Sequence, residues 1–341
     1  MQRLIGASLV TLALVGVFTL PAPAAVDQPP VKLTQVANRV HVEIGGKPFT
    51  DYYFGPDEGH PFVRPYMWPV RAADGTDVTS DQFRAHQTDP KADHPHHRSL
   101  WIAHGDVGGA DHWSLGKTPL KPESWADLPK QRHVRFEKVE GDTLVEDLVW
   151  EDKDHQPMLN ERRTVRFIAY PDGSRGVDIT SQFSAEGKPV TFGDTKEAGL
   201  ASVRVVKSIS DNPVLTLSTG ATSSRNPDKA KKDPGDEANV WGKEADWCDI
   251  SGQINGKPYG VAILNSPTNP LSAKWHARRY GLVGANNIGT KDFDKNNPKS
   301  YTPFTIEPGK PATFRYRVII HEGDVKAAGI AEKYKQFSGG A

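Results

Sequence analysis

Cysteine is almost absent from this sequence, with Cys248 the single example among 341 residues. That excludes an internal disulfide, a zinc–thiolate cluster and an iron–sulfur site, so the apolar core must hold the fold together. Net charge is absent as well: Lys plus Arg and Asp plus Glu number 42 each. No global field therefore draws in nucleic acid, an anionic membrane or a strongly charged polymer, and a neutral or weakly charged partner is expected. Familiar motifs are also missing. There is no phosphate-binding glycine loop, no strand–glycine–helix nucleotide unit, no G-x-S-x-G elbow and no H-E-x-x-H, which argues against nucleotide cofactors and serine hydrolase chemistry.

One long apolar run exists, from Leu4 to Leu20. It follows Arg3 and precedes "PAPAA", the pattern of an export signal with small residues at the cleavage site. The expectation is a signal peptide over residues 1–25 and a single domain over 26–341, exported and free of the membrane after cleavage. A retained anchor is the alternative.

Beyond the signal, short runs of period two dominate. "RVHVEIGGKPF", "HVRFEKVEGDTLVEDLVWED" and "RRTVRFIAYPDGSRGVDITSQF" each place a glycine-containing turn between two alternating segments, and Asn255-Gly256 is a hairpin signal in "WCDISGQINGKPYGVAILNS". These predict a mainly β, antiparallel sandwich. Helix signals are scarce. The clearest is "GDVKAAGIAEKYKQF", where Asp324 can cap and Val325, Ala328, Ala331 and Tyr334 recur at helical spacing. Two polar stretches, from Asn226 and from Thr290, read as long surface loops.

The strongest chemical signal is "DHPHHRSLWIAHGD", which gathers His94, His96, His97 and His104, four of the chain's 12 histidines, into eleven positions. Imidazole titrates near neutrality and is also the commonest metal ligand, so acid/base and metal readings both stand. Pro95 argues against a regular strand, so "DHPHH" is read as a loop feeding the strand "RSLWIAH". On an extended chain His94, His96 and His104 would share one face and His97 the other.

Three further stretches add candidates. "HPFVRPYMWPVRAADG" brings Arg64, Tyr66, Trp68 and Arg71 just before the cluster; arginine forks and indole faces suit a sugar's hydroxyls and ring. "FGDTKEAGLASVRV" supplies Asp194, Lys196, Glu197 and Arg204, with Glu197 beside Ala198 and Gly199, which would let a ligand approach. "KWHARRYGLVGANNIG" supplies His276, Arg278, Arg279 and Asn286 around a glycine-rich turn.

"RPYMWPVRAADG", "DHPHHRSLWIAHGDV", "DTKEAGLASVRV" and "RRYGLVGANNIG" resemble the markers of the secreted bacterial PmoA-like family, over roughly Val31 to Phe337. The methane-oxygenase name is not carried over as an activity, since such subunits are membrane proteins and no stretch past the signal could span. The resemblance implies a galactose-mutarotase-like β-supersandwich with few helices and one short C-terminal helix. It also implies a carbohydrate ligand, small molecule or oligosaccharide. In aldose epimerases of that fold, earlier histidines and a later glutamate converge on a sugar, and the order here is similar.

The expectation is an exported carbohydrate-active enzyme, epimerase-, mutarotase- or lyase-like. Glu197 would be the base and His97 or His104 the acid; Arg64, Arg98, Arg204, Trp68, Trp101, Lys196 and His276 would bind substrate. The alternatives are a divalent metal on His94, His96 and His104 serving a sugar lyase or hydrolase, and a glycan-binding module without turnover.

Overall fold

The computed structural model describes residues 28–57, 59–224, 237–294 and 303–340. The expected signal lies outside the described residues, as do 226–236 of the first polar stretch and 295–300 of the second. In chain order the strands are β1 to β5 (Val31–Val36, Arg39–Ile44, Lys47–Tyr53, Tyr66–Met67, Leu100–His104), then β6 to β10 (Lys130–Glu140, Thr143–Glu151, Pro157–Ala169, Arg175–Ala185, Val190–Phe192). They continue with β11 to β15 (Ala198–Arg204, Val214–Leu217, Thr222–Ser224, Trp247–Ile254, Lys257–Asn265) and β16 to β19 (Lys274–Arg278, Leu282–Asn286, Phe304–Ile306, Ala312–Glu322).

The period-two runs become antiparallel hairpins because alternation buries one face of each strand. In β8, every second residue from Leu159 to Ala169 is buried and those between are not. Asn255 and Gly256 both take left-handed backbone (φ 51° and 78°) and close the β14–β15 hairpin. An eight-stranded sheet runs β1-β2-β3-β4-β5-β11-β17-β16, and a nine-stranded sheet runs β13-β12-β14-β15-β19-β9-β8-β7-β6. Every neighbouring pair in both is antiparallel. The fold is a mainly β antiparallel sandwich.

The two sheets enclose the main core, to which Leu100, Ile102, Ala201 and Val203 contribute from one side and Val165, Phe167, Ile250 and Ile263 from the other. A second apolar cluster, including Tyr53, Tyr66, Trp101, Trp113 and Leu282, lies on the outer face of the eight-stranded sheet. Covered on both faces, β5 and β17 are buried along their whole length.

The helices are short: α1 (Gln82–Ala85), α2 (Lys207–Asp211) and α3 (Ile330–Gly339). No helix among the described residues is long and apolar enough to cross a membrane. The C-terminal helix starts later than its capping signal implies. Asp324 accepts the N–H groups of Lys326 and Ala327 and closes a separate turn, then Gly329 goes left-handed (φ 60°) and α3 begins at Ile330. Ala328 and Ile330 seal against Trp247, Ala262, Leu264 and Ile319 on the outer face of the nine-stranded sheet.

Candidate active site

Strand alternation places the outer-facing residues of β5. Leu100 and Ile102 enter the main core, while Trp101 and Ala103 face the second cluster. His104 shares parity with Leu100 and Ile102. Its Nε2 lies 2.7 Å from the Gly193 carbonyl oxygen and its ring 5.3 Å from Phe192, a main-core residue.

The loop before β5 breaks that alternation at both ends, because His94 and Ser99 adopt left-handed backbone (φ 46° and 71°). It is braced by two buried guanidiniums. Arg64 donates to the carbonyls of His96, His112 and Trp113 at 2.6 to 2.8 Å; Arg98 reaches Asp81 at 3.0 Å and the Pro61 carbonyl at 2.6 Å.

A cleft of about 610 Å³ opens beside this loop. His94 and His96 line one side, Lys196, Glu197, His276 and Arg278 another, with Trp113, Trp241 and Tyr280 supplying aromatic walls. The turn that carries Glu197 is fixed from the β17 side. Asn286 Nδ2 donates to the Thr195 carbonyl at 2.9 Å, Asp292 accepts the Lys196 N–H at 3.3 Å, and Asp194 accepts the Thr290 N–H at 2.7 Å. Lys196 Nζ stands 3.6 Å from Glu197 Oε1. Acids in the wall are partly satisfied already: Asp111 accepts the N–H groups of Trp113 and Ser114.

Burial decides the charge of most imidazoles here. His96 is pushed down to about 3, by burial first and then by Arg64 and His94. His276 falls to about 3, again by burial first and then Arg278. His97, fully enclosed, goes well below the usual histidine value, helped by His96 and Arg204. Burial also raises the Tyr280 phenol, against the pull of Arg278 and Arg204.

The structure thus brings Glu197, Lys196, His276, His94 and His96 to one cleft. Arg204 and His97 stand one layer behind it, 3.2 Å apart, with Arg204 also 2.6 Å from Asp93. Arg64 and Arg98 brace the loop, Trp101 is buried in the second cluster, and Trp68 stacks beneath Arg84 at 4.5 Å. His104 is turned to the inter-sheet core, away from His94 and His96, so those three do not assemble. Among the described residues, no group of three or more His, Cys, Asp or Glu side chains is placed to hold a metal ion.

Trp113, Trp241, Tyr280, Asp93 and Asp292 were not singled out by the sequence. Tyr280 and Asp93 sit inside the quoted motifs, and their position beside Arg279 and His94 was the available signal.

A family model described as "Family of unknown function (DUF6807)" matches residues 39–335. The chain belongs to DUF6807. The resemblance to the PmoA-like family has no counterpart in this match. No curated protein matches the DUF6807 chain by sequence. Among solved structures, a GalM/aldose epimerase homologue from C. elegans is similar at 8% identity, covering 86% of this chain and 99% of that one, with a TM-score of 0.36. The Slr1438 protein from Synechocystis sp. PCC 6803 is similar at 8% identity, 89% and 100% coverage and a TM-score of 0.36. The polysaccharide lyase BACCELL_00875 is similar at 9% identity and a TM-score of 0.31, with 88% of the DUF6807 chain spanning 34% of the lyase.

Proposed function

We propose that this DUF6807 chain is an enzyme acting on a sugar or sugar derivative by general acid/base chemistry, as a mutarotase or epimerase does or as a lyase does. One observation carries the reading: Glu197 and the imidazoles of His94 and His96 line the same aromatic-walled cleft. Indole and phenol rings suit the apolar face of a pyranose, and the polar groups between them suit its hydroxyls. Glu197 takes a proton from an anomeric hydroxyl or from carbon beside a carbonyl. An imidazole opposite gives one to the ring oxygen or leaving oxygen, so protons balance across the turnover. Lys196 and Arg278 offset the negative charge that develops. The reading includes export, on the strength of the apolar run after Arg3.

Polarimetry of freshly dissolved aldoses tests the first reaction and ultraviolet absorbance of unsaturated uronides the second. The expected result is turnover in one assay, falling about 100-fold or more in Glu197→Gln. Saturable sugar binding without turnover in either assay would overturn the enzymatic reading in favour of a glycan-binding module.

A further inference from the structure

Resting on that reading, we propose that His94 is the imidazole that moves the proton, and that Asp93, anchored by Arg204, is its positioning residue. The ring of His94 is held in an aromatic stack. Tyr280 (centroids 4.8 Å, planes 11° apart) and His97 (4.8 Å, 5°) both lie nearly parallel to it, with their own centroids 6.2 Å apart. Such packing fixes the ring plane and leaves the nitrogen-bearing edges to make the polar contacts.

One edge is closed. His94 Nδ1 is shut off from solvent, with the Asp93 Oδ1 atom 3.2 Å away, off the ideal hydrogen-bond line, and no better-aligned acceptor among the described residues. That carboxylate is itself held: Arg204 Nη2 donates to Asp93 Oδ1 at 2.6 Å, while the guanidinium lies 4.9 Å over the Tyr280 ring. Burial alone would raise the Asp93 carboxyl, but His94 and Arg204 together bring it below its usual range, so it stays anionic. The opposite edge belongs to a residue that lines the cleft with its side chain 39% exposed.

A carboxylate at Nδ1 selects the Nδ1–H tautomer and stabilises the imidazolium, which leaves Nε2 to exchange the proton with substrate. The neighbouring imidazoles are differently committed. His97 Nδ1 faces the Arg204 guanidinium at 3.2 Å and must accept from it, so His97 is neutral with its proton on Nε2. His96 and His276 are kept neutral by burial. His94 is the one beside a carboxylate. Its left-handed backbone (φ 46°), uncommon for a residue with a side chain, is retained at the site that uses it.

Long-range ¹H–¹⁵N correlation on the full, ¹⁵N-labelled chain without substrate tests this, with His94 assigned through His94→Gln and spectra recorded where the ring is neutral. The expected result is Nδ1–H for His94 in the wild type and a shift of population toward Nε2–H in Asp93→Asn. Nε2–H in the wild type, or an unchanged tautomer in Asp93→Asn, overturns the assignment. The wild-type spectrum decides alone should the variant fail to fold. Because no sugar is present, the outcome is independent of the proposed activity: an Nδ1–H tautomer in a chain that turns over no sugar sinks the function and leaves the positioning intact. Where turnover is found, Asp93→Asn is expected to lower kcat about 100-fold with little change in KM.

Discussion

At the scale of single residues, the dominant fact is how many histidines are kept uncharged. His96, His112 and His276 are held near 3 and His104 near 4, in each case by burial first, and His97 is driven well below its ordinary value. The unfolded chain, with histidines near 6.5, therefore binds protons that the folded chain refuses, and stability rises with pH between those values and is lost as pH falls. His321 works the other way. Burial pulls it down but Asp249, 2.7 Å away, raises it, a contribution present at low pH and lost as pH climbs. Five against one, the expected outcome is an unfolding free energy, read from urea titrations, that falls steadily from about pH 6.5 to about pH 4, by on the order of 1 kcal/mol per histidine per pH unit at the steepest. A flat free energy over that interval would show these imidazoles to be solvated. The sequence displayed the histidines as a cluster. Which rings reach the cleft depends on left-handed backbone at His94 and Ser99, neither a glycine, and no local pattern announces that.

At the scale of elements, the hairpins were legible because alternation and turn residues are both local, as in "QINGKPY". The turn that carries Glu197 was not. Glu197 reads as a charged residue at the mouth of a strand, and its position is set by backbone that approaches from elsewhere in sequence. A Cβ on Gly105, just past β5, would lie 2.8 Å from the Glu197 carbonyl oxygen, and one on Gly289 would lie 2.2 Å from the Thr195 carbonyl oxygen. The turn is wedged between two glycine backbones that have no room for a methyl group. Gly105→Ala is therefore expected to push the turn aside at a cost of about 1–3 kcal/mol in stability and about 100-fold in turnover through misplacement of Glu197. Chemical denaturation and kinetics on the same preparation check it; wild-type turnover in a folded Gly105→Ala would mean that the carboxylate position is not critical.

At the scale of the molecule, the two sheets divide the work. The eight-stranded sheet has its inner face in the main core and its outer face under the cleft and the second apolar cluster; the nine-stranded sheet has its outer face closed by the turn after Asp324 and by α3. Convergence of Trp113, Trp241, Tyr280 and Asp292 on the cleft that His94 lines is a product of this arrangement, and residues so far apart along the chain carried no sign of it. The division predicts that stability and chemistry separate. Ile330, the fully buried first residue of α3, lies on the face of the molecule served by the other sheet, and none of the cleft residues comes from α3. Ile330→Ala should cost about 2–5 kcal/mol by opening a cavity and lower the melting temperature, with turnover per folded molecule unchanged. Thermal melting and activity normalised to the folded fraction measure the two separately. A loss of turnover beyond the unfolded fraction would mean that the α3 face and the cleft are coupled through the inter-sheet core, where His104 and Phe192 stand between them.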